Sequence, residues 1–344
     1  MAWDIPLSNS SVFPGQYGHL LDATDSLFVS ASVTIAASMG FAVGAQSWGG
    51  QRAIVHGTLV GSGGMIASDV VRSTVEVEDT GRITGLEGLA LDLIGDAFGV
   101  ENDGVIECLN PSSAVVRLQM DDLVDEDPST SNFMNSGLIK GGLGIYLTGF
   151  ATTFRLNNSG TIRTTEVAVL DLTAGVTTVA NSGLIVGDVL LGGGADRYDG
   201  RGGRLEGALR GEAGNDRLIG GSGSDRMLGG TGQDTLTGGA GGDSFVFREA
   251  PGSTHRDRIT DWGASDRIRL DNADFKALDS GPLAGRAFYA NASGRAHDAS
   301  DRILYETDTG VLRYDPDGTG QAGARTFAVL DAQPALEASD IFVM

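Results

Sequence analysis

The chain has 344 residues, of which 53 are glycine and only 8 proline, with 41% hydrophobic residues and a formal net charge of −21. Glycine at about twice its usual share, without the proline of collagen or of a disordered tail, implies repeated tight turns around a buried core. So acidic a chain, whose only lysines are Lys140 and Lys276, presents no basic face to nucleic acid.

The single cysteine, Cys108, permits no intrachain disulfide and is read as a small buried apolar residue. No apolar run reaches the roughly 18 residues that a membrane span needs. The first residues, MAWDIPLSNS, carry neither a positive n-region nor an apolar h-region, so no N-terminal signal peptide is expected.

Residues 1–32 read as strands that form an N-terminal cap, with His19 an ordinary surface residue. From 33 to 190 a longer repeat sets in. Gly57, Gly81, Gly104, Gly137, Gly160 and Gly183 each precede an apolar pair, at spacings of 24, 23, 33, 23 and 23. Further apolar strands recur inside each unit, among them ALDLIG, AVVRLQM, GIYLTG and VAVLDL, then TVEVED, TTFRLN and TTVAN. Several short strands per unit of about 23 residues predict the rungs of a parallel β-helix, because irregular hairpins of a sandwich would not hold such a register. Asn102, Asn135, Asn158 and Asn181 stand two residues before the glycine. They are expected to stack as a ladder at one corner, where asparagine tolerates a left-handed backbone. The longer spacing marks an insertion containing Asp121, Asp122, Asp125, Glu126 and Asp127, read as a solvated acidic loop, with a cation site or contact loop as the alternative.

At Leu191 the period changes. LGGGADRYD places Asp196 and Tyr198 in a nine-residue phase, and residues 200–210 read as a degenerate spacer with Leu205 where an aspartate is wanted. Four units then run without a gap from Gly211 to Val246: GEAGNDRLI, GGSGSDRML, GGTGQDTLT and GGAGGDSFV. Each has Gly at positions 1 and 4, Asp at position 6 and an apolar residue at position 8 (Leu218, Met227, Leu236 and Phe245). Six residues make a turn and three a short strand. Two units make one coil of a parallel β-roll, so turns 18 residues apart stack, Asp216 with Asp234 on one edge and Asp225 with Asp243 on the other. Stacked carboxylates repel unless a cation lies between them, and carboxylates with backbone carbonyls form the hard oxygen site that selects Ca2+. The candidate ligand positions are Gly211, Ala213, Gly214 and Asp216; Gly220, Ser222, Gly223 and Asp225; Gly229, Thr231, Gly232 and Asp234; and Gly238, Ala240, Gly241 and Asp243. A flexible glycine-rich linker would not keep aspartate and leucine in phase.

This pattern resembles the RTX, or hemolysin-type calcium-binding, nonapeptide repeat. DRITDWGASDRIRL, residues 257–270, resembles the segment that closes the roll in RTX proteins of the serralysin type, which makes Asp257 and Asp261, with Asp196, further metal candidates. The stretch ending in YDPDGTG, Tyr314 to Gly320, resembles the C-terminal module of such proteins, with Asp315 and Asp317 either a cation site or a polar turn. Asp340, Ile341, Phe342, Val343 and Met344 resemble the uncleaved signal read by type I secretion machinery. The resemblance implies a secreted, extracellular, all-β protein: an N-terminal parallel β-helix running into a calcium-binding β-roll (191–247), then a β-rich module (248–344). It also implies a type I secretion apparatus as partner.

Enzyme signatures are absent. The histidines His19, His56, His255 and His297 are far apart, so no HExxH zinc site forms, and there is no GxSxG. The glycine-rich turns are unsuited to phosphate, which the position-6 aspartates would repel. Lyases and alginate epimerases use the β-helix fold, but its polar groups here are sparse: His56, Tyr146, Lys140, Arg52, Arg72, Arg82, Arg117, Arg155 and Arg163. The expectation is a non-enzymatic protein with a matrix, adhesive or structural role and surface polysaccharide as a further partner. Polysaccharide lyase or epimerase activity is the alternative.

Overall fold

The computed structural model describes residues 2–4, 11–13, 17–21, 26–31, 33–37, 41–46, 52–70, 73–95, 97–120, 130–150, 153–252 and 254–344. Apart from two short 3-10 turns, Gly285–Ala287 and Ala338–Asp340, every regular element among them is a strand. The chain forms two compact units. One comprises Met1–Gly193 with Gly202–Glu206, the other Gly194–Arg201 with Gly207–Met344.

The first unit is a parallel β-helix with three strands to a rung. Thr130–Asn135, Leu138–Gly141 and Leu143–Gly149 make one such rung. Each strand pairs in parallel with its equivalent in the next rung, as in Thr130↔Thr153 and Leu138↔Thr161. Alternate residues point inward and stack by type. Leu59, Ile83, Ile106, Ile139, Ile162 and Ile185 form one buried column, and Val75, Val100, Phe133, Leu156 and Val179 another. Each such side chain contributes roughly 1.5–3 kcal/mol by leaving water, and identical neighbours fix the register, because a slip of one residue would turn the whole column outward.

The recurring glycines have a steric cause. A Cβ on Gly104, Gly137, Gly160 or Gly183 would overlap the carbonyl oxygen of the preceding ladder glycine, which rules out any side chain at this corner. The asparagine ladder is present too. Asn102 Nδ2 donates to Asn135 Oδ1, Asn135 to Asn158 and Asn158 to Asn181, each at 2.7 Å. Its predicted backbone reason is not correct. The only non-glycine residues with positive φ among those described are Glu212 and Gln333. Each asparagine is instead the last, inward-facing residue of an ordinary strand. It is chosen because a primary amide both donates and accepts, so it can satisfy identical neighbours above and below.

The segment read as a cap is built as rungs: Ala2 pairs with Ser26, Ser11 with Ile35, and Tyr17, in the strand holding His19, with Phe41. The insertion is confined by register. Ala114–Met120 pairs normally with Leu143–Gly149, and the next strand begins at Thr130. Most of the extra residues, the five acidic ones of the loop among them, therefore fall at 121–129, outside the described residues, and the rest lie between Val105–Cys108 and Ala114–Met120. Cys108 is buried, as expected, with Sγ 2.9 Å from the carbonyl of Gly88.

Residues 200–210 are not a degenerate nonapeptide. Arg204–Glu206 is a further β-helix strand, with Leu205 opposite Ile185. The sequence shows why: Gly203-Arg204-Leu205 repeats the glycine-plus-strand start of Gly183-Leu184-Ile185, and Gly203 has the same close approach to Gly183.

The second unit is a two-faced parallel roll. One face holds Arg197–Asp199, Arg217–Ile219, Thr235–Thr237 and Asp257–Ile259. The other holds Ala208–Ala213, Arg226–Thr231, Ser244–Phe247, Arg267–Leu270 and Ile341–Val343. The position-8 residues fill its narrow core: Tyr198, Leu218, Leu236 and Ile259 from one side, Met227, Phe245 and Ile268 from the other. The closing segment is thus one more coil. Phe342 flanks Ile341 and Val343, which are buried in the last strand, while Asp340 accepts the Glu337 amide. Strands Phe288–Asn291, Ile303–Glu306, Val311–Tyr314 and Arg325–Leu330 complete the unit, the last running parallel to Asp257–Ile259. Phe247, Phe275, Tyr314 and Phe327 pack edge to face beneath them.

Candidate metal centre

Strand pairing 18 residues apart places the position-6 aspartates one above another, as the spacing predicts. The amide of Asp216 donates to Asp234 Oδ1 and that of Asp225 to Asp243 Oδ1, both at 2.8 Å. Both ladders extend beyond the four repeats. Asp196 donates its amide to Asp216 at 2.8 Å, Asp234 to Asp257 at 3.1 Å, and Asp243 to Asp266 at 2.9 Å. One edge therefore carries Asp196, Asp216, Asp234 and Asp257, the other Asp225, Asp243 and Asp266. All seven are buried.

Each contact satisfies only one carboxylate oxygen. The Oδ2 atoms of Asp216, Asp234 and Asp243 are buried and accept no hydrogen bond. They lie where a Cβ on Gly211, Gly229 or Gly238 would stand, so position 1 is glycine to leave room for the carboxylate of its own turn. Asp225 differs, its Oδ2 accepting the Gly221 amide at 2.8 Å. An ionised carboxylate out of water with an empty lone-pair side is unfavourable, and the acidities reflect it. Burial, with Asp234 nearby, pushes the Asp216 carboxyl up to about 7. Burial, then Asp266, Asp225 and Asp261, pushes Asp243 up to about 6. Asp225, Asp234 and Asp257 are raised as well, burial being the first cause in each.

Of the other candidate ligands, the carbonyls of Ala213 and Thr231 accept the amides of Gly194 and Gly214. Gly214, Gly232 and Gly241 adopt positive φ at position 4, whereas Gly223, at position 4 of the second repeat, does not. Asp261 has a different neighbourhood from its expected partner Asp257: its two oxygens accept the amides of Gly238 and Gly239, both at 2.8 Å. Asp266 was not among the expected residues. The signal that reveals it is an aspartate two before a buried apolar residue, which holds for Asp257 with Ile259 and Asp266 with Ile268 even where the glycines have gone. In that degenerate turn His255 replaces the position-4 glycine, and its Nδ1 accepts the Gly232 amide at 3.1 Å.

The four central repeats are of a calcium-binding kind. Residues 210–245 match the family model of the RTX calcium-binding nonapeptide repeat, in four copies. RTX repeats bind calcium, and the hard, acidic oxygen set described above suits that ion. No curated protein matches the chain. Among solved structures, it matches the solution structure of a subunit of the Azotobacter vinelandii mannuronan C5-epimerase at 26% identity. That match covers 52% of this chain and 82% of the other with a TM-score of 0.22, a likeness too slight to carry an argument.

Three arginines of the β-helix are spent on acidic partners one rung away. Arg52 forms a two-pronged pair with Glu76, and Arg82 Nη1 donates a single bond to Glu107 Oε1. His56 lies edge-on to Phe28 at 5.1 Å. Arg72 is outside the described residues. Asp92, Arg117 and Tyr146 occupy one row on three consecutive rungs, with Arg117 held by both oxygens of Asp92 at 2.8 and 2.6 Å. No helix among the described residues is long and apolar enough to cross a membrane.

Proposed function

We propose that this is an exported, extracellular calcium-binding protein whose roll folds only when calcium arrives. The reading rests on one observation: both edges of the roll are lined by buried aspartates, three of which keep an oxygen with no protein partner. At low calcium the ionised ladder opposes folding and leaves the chain extended for a type I secretion apparatus that reads Asp340 to Met344. At millimolar calcium, ions held by Asp216 with Asp234 and by Asp225 with Asp243, and by turn carbonyls of positions 1, 3 and 4, convert binding free energy into folding free energy. Asp196, Asp257 and Asp266 extend the same array. The β-helix then serves a matrix, adhesive or structural role without catalysis, with surface polysaccharide as its contact. Far-UV circular dichroism of the full chain against free calcium is the test. A second unit that is fully folded in excess chelator would overturn the switch.

The row Asp92, Arg117 and Tyr146 favours a second reading, a polysaccharide lyase or epimerase, because an arginine fixed by a buried carboxylate beside a phenol suits a uronate carboxylate and a proton transfer. Release of unsaturated uronates, or epimerisation of alginate, would establish that activity in place of the non-catalytic role.

A further inference from the structure

One row of side chains on the roll carries charge opposite in sign to the chain as a whole. In each turn the ladder aspartate and the apolar residue two places on point inward, so the residue between them faces solvent. Arginine stands there in five of the seven turns, at Arg197, Arg217, Arg226, Arg258 and Arg267, the others being Thr235 and Ser244. On one face the parallel register stacks Arg197 on Arg217, Arg217 on Thr235 and Thr235 on Arg258. Neighbouring strands are about 4.8 Å apart, and the three arginines are exposed. Like charges side by side are unfavourable without an anion between them, and the protein supplies little. Arg217 pairs with no carboxylate among the described residues. Asp199 lies 3.7 Å from Arg197 but is already held by both prongs of Arg201, at 2.9 and 2.6 Å. Arg258 gives Nε to Asp331 at 2.6 Å, which leaves its terminal nitrogens over.

The row ends in a concave site. A cleft of about 360 Å³ opens beside Arg258, lined also by Arg256, Thr235 and Gln233, with Asp234 and Asp257 of the ladder in its wall. Arg256 is exposed and likewise pairs with no carboxylate among the described residues. The cleft thus gathers two guanidinium groups, a hydroxyl and an amide. Its two carboxylates are those that the proposed function gives to calcium, so in the loaded roll the cationic donors face no opposing charge in the cleft.

We infer that this strip, from Arg197 through Arg217 to the cleft at Arg256 and Arg258, binds an acidic polysaccharide. The inference rests on the proposed extracellular, calcium-loaded state, and it adds the roll to the β-helix as a polysaccharide contact. A guanidinium takes a carboxylate in two parallel hydrogen bonds, and a polyuronate brings one carboxylate with every sugar. The strip is a single file flanked by Asp199 and Asp331, which suits one thin chain and not the paired phosphate rails of a duplex. None of its members is aromatic, so the bases of a single strand have nothing to stack on. Thr235 and Gln233 suit sugar hydroxyls.

Fluorescence anisotropy of a labelled tetragalacturonate, short enough not to gel with calcium, tests this on the full chain in millimolar calcium. Saturable binding that weakens with added salt is expected. Arg217→Glu should abolish it and Arg217→Ala should weaken it about tenfold or more. Arg217→Lys should fall between the parent and the alanine variant, because lysine keeps the charge without the fork. An unchanged calcium midpoint in circular dichroism shows that each variant folds. Binding that survives Arg217→Glu would overturn the strip and leave the β-helix as the polysaccharide contact. No binding at all would overturn both contacts, while calcium-driven folding is read separately from the dichroism. Tighter binding of an oligodeoxynucleotide of equal charge would overturn the choice of ligand.

Discussion

Asp234→Asn separates the cation's role from packing. The substitution keeps the side chain's shape and the bond accepted from the Asp216 amide at 2.8 Å, but removes a buried negative charge. The stakes can be sized from the neighbours. A carboxyl whose acidity moves from 3.8 to about 7 at Asp216, or to about 6 at Asp243, resists ionisation in the cation-free fold. At about 1.4 kcal/mol per pH unit, discounted for solvent screening, the penalty is on the order of 2–4 kcal/mol each. Two or three such penalties rival the whole stability of a typical domain, about 5–15 kcal/mol. On the proposed function, bound calcium removes these penalties and takes Asp234 as a ligand. Asp234→Asn should therefore shift the calcium midpoint of folding upward by about tenfold or more, or about 1.4 kcal/mol. The assay is circular dichroism against free calcium, with Asp199→Asn as control, since Asp199 pairs with exposed Arg201 away from the ladder. A midpoint for Asp234→Asn within twofold of the parent would refute the reasoning.

Acid should partly replace calcium. The raised carboxyls favour the protonated form in the fold, so their stabilisation is complete below about pH 4 and is lost as pH rises through 6 to 7. In chelator, acidification from about pH 8 to 5 should raise the melting temperature, while in calcium it should weaken binding; a steady fall in chelator would contradict this. Glu212, at φ 73°, occupies position 2 of the first repeat, where Gly230 and Gly239 stand in later ones. Glu212→Gly should stabilise the calcium-loaded roll by about 1 kcal/mol in thermal unfolding, and a loss would show that the side chain matters more than the strain. Gly160→Ala drives a Cβ into the Gly137 carbonyl and should cost several kcal/mol, whereas Gly223→Ala meets open space and should change melting by less than about 1 kcal/mol. Asn158→Leu removes the short bonds to the Asn135 amide and the Asn181 oxygen, leaving each only a longer one of 3.3–3.4 Å, and should lower stability by about 1–3 kcal/mol in denaturant titration.

Most of the fold was legible because solenoids write their geometry as spacing. The 23-residue glycine period, the asparagine ladder and the 18-residue aspartate pairing all arise from residues stacking on their own kind. What the spacing hides is where a repeat keeps its position but loses its signature. Asp266 retains the aspartate and the apolar residue, yet Asp261 and Trp262 stand where two glycines are expected. Arg204–Glu206 belongs to the β-helix by the close approach of Gly203, although its 20-residue distance from Gly183 fits neither period. Asp261 looks like a ladder member by charge, but its oxygens are taken by two amides.

The two units answer the same packing problem with different chemistry. Both stack one polar residue type along an inner corner. In the β-helix that residue is asparagine, which donates from Nδ2 and accepts at Oδ1, so each rung satisfies the next and the ladder is neutral. In the roll it is aspartate, which only accepts. The amide of one rung supplies a donor for one oxygen, and at Asp216, Asp234 and Asp243 the other is left over. The neutral ladder leaves over only the oxygen of its first member, Asn102, whereas the carboxylate ladder leaves over one at each of three members and so calls for a positive partner from solution. On the proposed function, replacing an amide by a carboxylate at a repeating corner is what makes the roll call on calcium where the β-helix does not, with the same parallel strands in both.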